Sequence, residues 1–264
     1  MKIATFNVNS IRTRLPIVLD WLKEHEPDVL AVQETKTPDD QFPAGEIEAA
    51  GYRVGYRGFK GGAGVAVISR DEPEEVRFGF DDGGPADEDR LIEARWPGLT
   101  LINTYVPQGR SIDHEMYAYK LEWLGRLRRY LARRHDSEEP LIWVGDLNVA
   151  RGPNDVAKPE NKKKHVCYHE DVRAAFEEVL EFGFEDVFRR HHPDEKLFSF
   201  YDYRVKDALG TNRGWRVDYI LATEPLAERC TGCAIDLEPR RRERPSDHTV
   251  VHADFDCPPG RTGG

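Results

Sequence analysis

The sequence predicts an α/β (α+β) fold: a four-layer α-β-β-α sandwich of two packed mixed sheets flanked by helices. Three observations lead there. Short apolar runs recur from the first residues to about residue 254, helical periodicity separates several of them, and no Pro/Gly/Ser-rich linker divides the 264 residues. A single doubly wound sheet would satisfy the same periodicities. Residues 1–256 are read as one domain, and the Pro- and Gly-rich tail 257–264 as disordered.

The predicted strands, in order, are Lys2–Phe6, Asp28–Val32, Tyr52–Tyr56, Gly64–Ser69, Leu91–Trp96, Leu99–Thr104, Leu141–Val144, Arg216–Leu221 and Thr249–Asp254. Each is short, mainly apolar and bounded by polar or turn-forming residues. Val76–Phe80 adds a short edge strand, kept soluble by the acidic residues around it. Helices are predicted over Pro16–Glu24, with proline in the first turn, over Asp113–Arg134, and over Val172–Phe182, ended by Gly183. In the second, Met116, Leu121, Leu124, Leu127 and Leu131 form the apolar face and the arginines point out.

Composition narrows the function classes. No run approaches the ~18 apolar residues of a membrane span, and the first residues turn polar too early for a signal peptide. The expectation is a cytoplasmic protein with no membrane partner, acting as a monomer. Four cysteines are too few for a disulfide scaffold. Cys230 and Cys233 have CxxC spacing, but no second ligand pair follows, so they read as inert thiols near a strand. The net charge of −10 is unevenly spread: residues 71–89 carry nine acidic side chains against Arg77 alone. Basic clusters lie elsewhere, at Arg126–Arg134, at Lys158 with Lys162–Lys164, and at Arg240–Arg244. Each is either a solvated face or part of a track for a polyanion.

The informative feature is where polar residues interrupt the apolar runs. Four strands end in Asn7-Val8-Asn9, Gln33-Glu34, Tyr105 and Asp146-Leu147-Asn148, and two begin at Asp218 and at Asp247-His248. Antiparallel neighbours bring such ends and starts to one rim. Turn chemistry accounts for Asn and Asp at such places but not for Glu or Tyr. Thr5–Asn9 is also faintly echoed by Gly145–Val149. Oxygen donors without cysteine suit a hard cation, Mg²⁺ or Mn²⁺, held by Glu34 with Asn7 and Asp247. Asp146 would activate water. Asp218 would orient His248 beside a phosphoryl oxygen, while Asn148 and Tyr105 donate hydrogen bonds. With no GxSxG and no P-loop, metal-assisted phosphodiester hydrolysis by water is the economical reading.

Lys2–Asn9 (KIATFNVN), Val32–Lys36 (VQETK), Asn103–Gly109 (NTYVPQG), Gly145–Val149 (GDLNV), Asn212–Tyr219 (NRGWRVDY) and Ser246–His248 (SDH) resemble the exonuclease III family of abasic-site endonucleases. That family lies within the exonuclease–endonuclease–phosphatase superfamily. The resemblance implies the four-layer sandwich and Mg²⁺-dependent cleavage 5′ to abasic sites in double-stranded DNA, with 3′→5′ exonuclease and 3′-end-cleaning activity. It makes Glu34 the principal metal ligand, places Asn7 and Asp247 in or beside the metal shell, and leaves Asp146, Asn148 and His248 for a second metal position. It assigns Asp146 to water activation or leaving-group protonation, pairs Asp218 with His248 and puts Tyr105 on the phosphate side. Asn9, Asn212, Phe200 and Trp215 become substrate contacts, the two aromatics forming a pocket for a sugar lacking its base. Many bacterial members carry Trp-Trp-Asp-Tyr-Arg where this chain has Phe200–Arg204, so the aromatic wall is expected to lose packing area at Tyr201. Other readings are a non-catalytic nucleic-acid-binding relative and a superfamily phosphodiesterase acting on another phosphate ester.

Overall fold

Strands β1 (Lys2–Asn7) and β8 (Leu141–Asp146) are buried along nearly their whole length, because each lies inside a six-stranded sheet covered on both faces. The computed structural model describes residues 1–257, so the predicted tail disorder at 258–264 lies outside the described residues. The first sheet has the order β11 (Cys230–Asp236), β12 (Val250–Phe255), β1, β2 (Val29–Gln33), β4 (Val65–Ser69) and β3 (Arg53–Arg57). The second runs β5 (Glu75–Phe78), β6 (Leu91–Trp96), β7 (Leu99–Tyr105), β8, β10 (Asp218–Thr223) and β9 (Phe184–Asp186). Both are mixed: β1 pairs parallel with β2 and antiparallel with β12, and β8 pairs parallel with β7 and antiparallel with β10.

Period-2 alternation builds the layers. Ile3, Ala31 and Val67 face Ala94, Leu101, Val144 and Ile220 in the core between the sheets. Ala4, Phe6 and Val32 turn outward to Val18, Trp21 and Leu22 of α1 (Ile11–His25). On the far side, Trp143, Tyr219 and Leu221 meet Trp123 and Leu127 of α3 (Glu115–Arg134) and Phe176 of α4 (Glu170–Leu180). The chain therefore forms two sheets rather than one doubly wound sheet, a choice the periodicities had left open. Short α2 (Ala44–Ala49), α5 (Val187–His191) and α6 (Glu224–Ala227) complete the helices.

Several boundaries differ from the sequence expectation. Helix α1 starts at Ile11, so Pro16 sits within it rather than in its first turn. The proline's missing N–H leaves only the carbonyl of exposed Arg12 without its usual donor, a small cost this near the helix start. Strand β10 starts at Asp218, because Arg216 is drawn out of the ladder to bind Asp155 and Asp186. Strand β11 is unforeseen: Cys230–Asp236 is interrupted by a glycine and carries a bulge between Cys230 and Gly232. Its two cysteines are free and buried, and burial pushes both thiols up, away from reactivity.

Helix α3 corrects the expectation that its arginines point outward. Arg126 is only 4% exposed. Its guanidinium donates to Asp82 at 2.8 Å and to Asp87 at 2.5 Å, and lies 4.4 Å from the Phe80 ring. The acidic stretch folds back onto this helix, so part of that basic cluster is spent inside the protein. Arg128 and Arg129 pair with Glu178, Glu181 and Glu122.

Candidate active site

The six strand termini meet on one rim because register makes them neighbours. In the second sheet Asp146 lies opposite both Tyr105 and Asp218. In the first, Asn7 lies opposite Gln33, which precedes Glu34. A buried amide pair pins the two rims together: Gln33 Nε2 donates to Asn103 Oδ1 at 2.7 Å, and Asn103 Nδ2 donates to the carbonyls of Val32 and Ala66. Neither amide was singled out from sequence, although an Asn within an apolar strand run was the available signal.

Asn7 joins the sheets at the site itself. Its Nδ2 donates to Glu34 Oε1 at 2.9 Å and to Asp146 Oδ2 at 2.8 Å. Its Oδ1 accepts from the backbone N–H of Asn9 at 3.0 Å, which fixes the amide's orientation. Asn7 therefore places its amide nitrogen between the two carboxylates and aligns them. The echo between the two halves is the same turn made twice, since the N–H of Asn148 likewise donates to Asp146 Oδ1 at 3.0 Å.

Glu34 and Asn148 follow their strands in left-handed backbone, both at φ 50. Such strain at non-glycine residues costs on the order of 1–3 kcal/mol each and persists only where the surroundings over-determine it. Burial would raise the Glu34 carboxyl's pKa, but Lys36 Nζ at 2.5 Å and the Asn7 amide outweigh it and hold the group ionised below its usual range. Asp146 is 1% exposed, and burial raises its pKa against the pull of His248. His248 Nδ1 donates to Asp218 at 2.8 Å, and its Nε2 stands 3.7 Å from Asp146 Oδ2. Burial disfavours the imidazolium, yet Asp218 and Asp146 prevail and raise the pKa. Tyr105 keeps its proton, because burial and then the charges of Glu34 and Asp146 raise its pKa well above the ordinary value. The Arg90 guanidinium braces its ring at 4.9 Å.

These groups open into a cleft of about 850 Å³ lined by Glu34, Tyr105, Asp146, Asn148, Phe200, Trp215, Asp247 and His248. One ligand atom each from Glu34, Asp146 and His248 lies within 4.8 Å of the others. Asp247 lies outside that group; its Oδ1 accepts from Asn9 Nδ2 at 2.9 Å. Asn148 spends its Nδ2 on the carbonyl of Val106. Phe200 packs on His248 with ring centroids 4.8 Å apart. Trp215 is flanked by His165 at 4.4 Å and by Lys162 at 5.5 Å.

Asn212 and Tyr201 hydrogen-bond to each other. Asn212 does not line the cleft: its amide binds the Lys196 carbonyl and accepts from the Tyr201 hydroxyl. Tyr201 is buried with Phe198 and Ala208, away from the aromatic wall, so its replacement of tryptophan alters a loop core rather than the cleft. Lys158 and Lys162 do reach the cleft, joined by Arg110, Arg204, Arg213, Gln108 and His165, for which sequence reasoning supplied no role.

The comparisons agree with this geometry. A family model described as the endonuclease/exonuclease/phosphatase family matches residues 4–248. Exodeoxyribonuclease III of Haemophilus influenzae is 36% identical, covering 97% of this chain and all of that protein. An AP endonuclease from Archaeoglobus fulgidus has 54% identity and a TM-score of 0.95, covering 97% of this chain and 100% of its own. The 3′ phosphatase NExo from Neisseria, bound to a product DNA hairpin, has 34% identity and a TM-score of 0.92 with the same coverage. Two mixed sheets meeting at a rim of Glu34, Asp146 and His248, together with these whole-length similarities, show that the chain belongs to the endonuclease/exonuclease/phosphatase family, in its exonuclease III branch.

Proposed function

We propose that this protein is a Mg²⁺-dependent DNA repair nuclease that cuts the phosphodiester 5′ to abasic sites in duplex DNA and trims 3′ ends. The observation that carries this is the run Glu34–Asn7–Asp146 facing the Asp218–His248 pair, at the foot of a cleft walled by Phe200 and Trp215.

The donor set fits a hard divalent ion, since it offers carboxylate oxygens and no thiolate. Glu34 would hold the ion, which when bound supplies positive charge to the phosphoryl oxygens and acidifies bound water. Asp146, with its pKa raised, takes the proton of the attacking water, a step worth about 10²–10⁴-fold; as the water oxygen bonds to phosphorus the P–O3′ bond breaks, and the departing 3′ oxygen takes a proton from solvent to become the 3′-hydroxyl. His248, kept charged by Asp218, and Tyr105, kept protonated, donate to the non-bridging oxygens as negative charge develops. Phe200 and Trp215 favour a flat apolar sugar face, and extrusion from the duplex costs least where no base is stacked. Lys158, Lys162, Arg110 and Arg213 supply charge for the flanking phosphates. We assign the activity to a cytoplasmic monomer.

The deciding experiment is a labelled duplex with one abasic analogue, incubated with Mg²⁺ or with EDTA. One cut 5′ to the lesion, leaving a 3′-hydroxyl and abolished by EDTA, is expected. Cutting that survives EDTA, or that ignores the lesion, would sink the proposal.

A further inference from the structure

Helix α3 sends one lysine inward. Lys120 is fully buried, and no carboxylate pairs with it among the described residues. Its Nζ donates instead to three backbone carbonyls: Asn148 at 2.7 Å, Val166 at 2.9 Å and Gln108 at 3.2 Å. An ammonium has three donors and no acceptor, so the group is fully satisfied by these three oxygens. A charge taken out of water without a counter-ion is expensive, and burial lowers its pKa accordingly. Apolar packing alone would not select it at this position.

The three carbonyls belong to three separate loops that build the cleft. Gln108 follows β7, Asn148 follows β8, and Val166 lies between the cleft residues His165 and Cys167. Asn148 is held at φ 50, and its own N–H donates to Asp146 Oδ1. Its Nδ2 donates to the carbonyl of Val106, two residues before Gln108. Gly109 is packed tightly over this point, since a Cβ there would lie 3.3 Å from Lys120 Cδ.

We infer that Lys120 is a positioning residue for catalysis: one buried ammonium locks the loops after β7 and β8 and the loop carrying His165 into a single register, and through Asn148 it aims the carboxylate of Asp146. The inference rests on the hydrolytic reading of the cleft. Misplacing a reacting group by about 1 Å costs about 10²-fold in rate. Binding depends on phosphate contacts made by other side chains, so loss of the ammonium should show in the chemical step.

Lys120→Gln keeps an amide donor but removes the charge and one hydrogen bond. Near-ultraviolet circular dichroism establishes folding, fluorescence anisotropy in EDTA gives Kd for an abasic-analogue duplex, and single-turnover kinetics in Mg²⁺ give the rate. The expected result is a folded variant with Kd within about threefold of the parent and a rate lowered about 10- to 100-fold. A parental rate, or losses of rate and affinity in equal proportion, overturns the inference. Should Lys120→Gln not fold, Lys120→Arg decides: its planar guanidinium cannot present three donors from one atom, and a folded variant with the parental rate overturns the idea. A further measurement needs no variant. In hydrogen exchange of the parent, segments 106–110, 147–150 and 165–168 should open together, and independent opening of the three also overturns it. If the parent cleaves no phosphodiester at all, the hydrolytic reading fails first, and the exchange result still stands or falls separately.

Discussion

Glu34 shows how one residue can be costly for the fold and central to the site. It is half-buried, sits in left-handed backbone and carries a charge, and three groups hold it there: the Asn7 amide, the Lys36 ammonium and the turn after β2. A carboxylate kept ionised and aimed beside a second carboxylate is what a hard cation selects. Glu34→Ala should weaken Mg²⁺ binding at least tenfold in titration calorimetry and lower the cleavage rate by several orders of magnitude. Unchanged Mg²⁺ affinity would remove Glu34 from the metal centre. Asn7 is its complement: its amide nitrogen joins Glu34 to Asp146 while its oxygen accepts from the Asn9 N–H.

Among the elements, the aromatic wall and the acidic loop each support a prediction. Trp215 is carried on an irregular segment bridged to Phe200 and to Val156, with His165 on one face. Trp215→Ala should lower the preference for abasic over intact duplex about tenfold, measured as the ratio of kcat/KM values. An equal fall on both substrates would assign Trp215 to packing. The acidic loop is pinned to α3 by Arg126, whose guanidinium lowers the Asp82 carboxyl from its ordinary 3.8 to about 2. A carboxyl depressed in the folded state stabilises the protein above its unfolded pKa, and that stability disappears as pH falls through the folded value. The Tm difference between the parent and Arg126→Met should therefore be constant near neutral pH and shrink between about pH 4 and pH 2. A constant difference down to pH 2 would contradict this.

For the whole molecule, net charge is a poor guide to partner because charge is segregated. The chain carries −10, yet Arg110, Lys158, Lys162 and Arg213 line the cleft, while Arg126, Arg128, Arg129 and Arg204 are paired with carboxylates of the same chain. The logarithm of the affinity for duplex DNA should fall linearly with log salt, with a slope of about −0.9 per phosphate engaged. Lys162→Met should reduce that slope by about one while leaving affinity for an uncharged sugar analogue unaltered. A salt-independent affinity would mean that the cleft does not engage the DNA backbone.

Chain-local physics was enough for much of this. Short apolar runs marked the central strands of both sheets, and Glu and Tyr at strand ends, where turn chemistry does not want them, marked the rim. The same strand ends and starts supplied Asp146, Asp218 and His248. What failed was non-local. Strand β11 formed on a weak, glycine-broken run because β12 offered it a ladder. Arg126 looked like a solvated helix charge, and Lys120 drew no attention, because sequence does not show which carboxylates or carbonyls will fold against a helix face. Asn7's amide orientation and the approach of Glu34 to Asp146 and His248 depend in the same way on partners that are distant along the chain. The sequence by itself determined which residue types were available for hydrolysis and the periodicities that layer the fold. Only the tertiary structure decided how those groups pair, because a polar side chain's role follows from the partner left to it once two sheets have closed and water is gone.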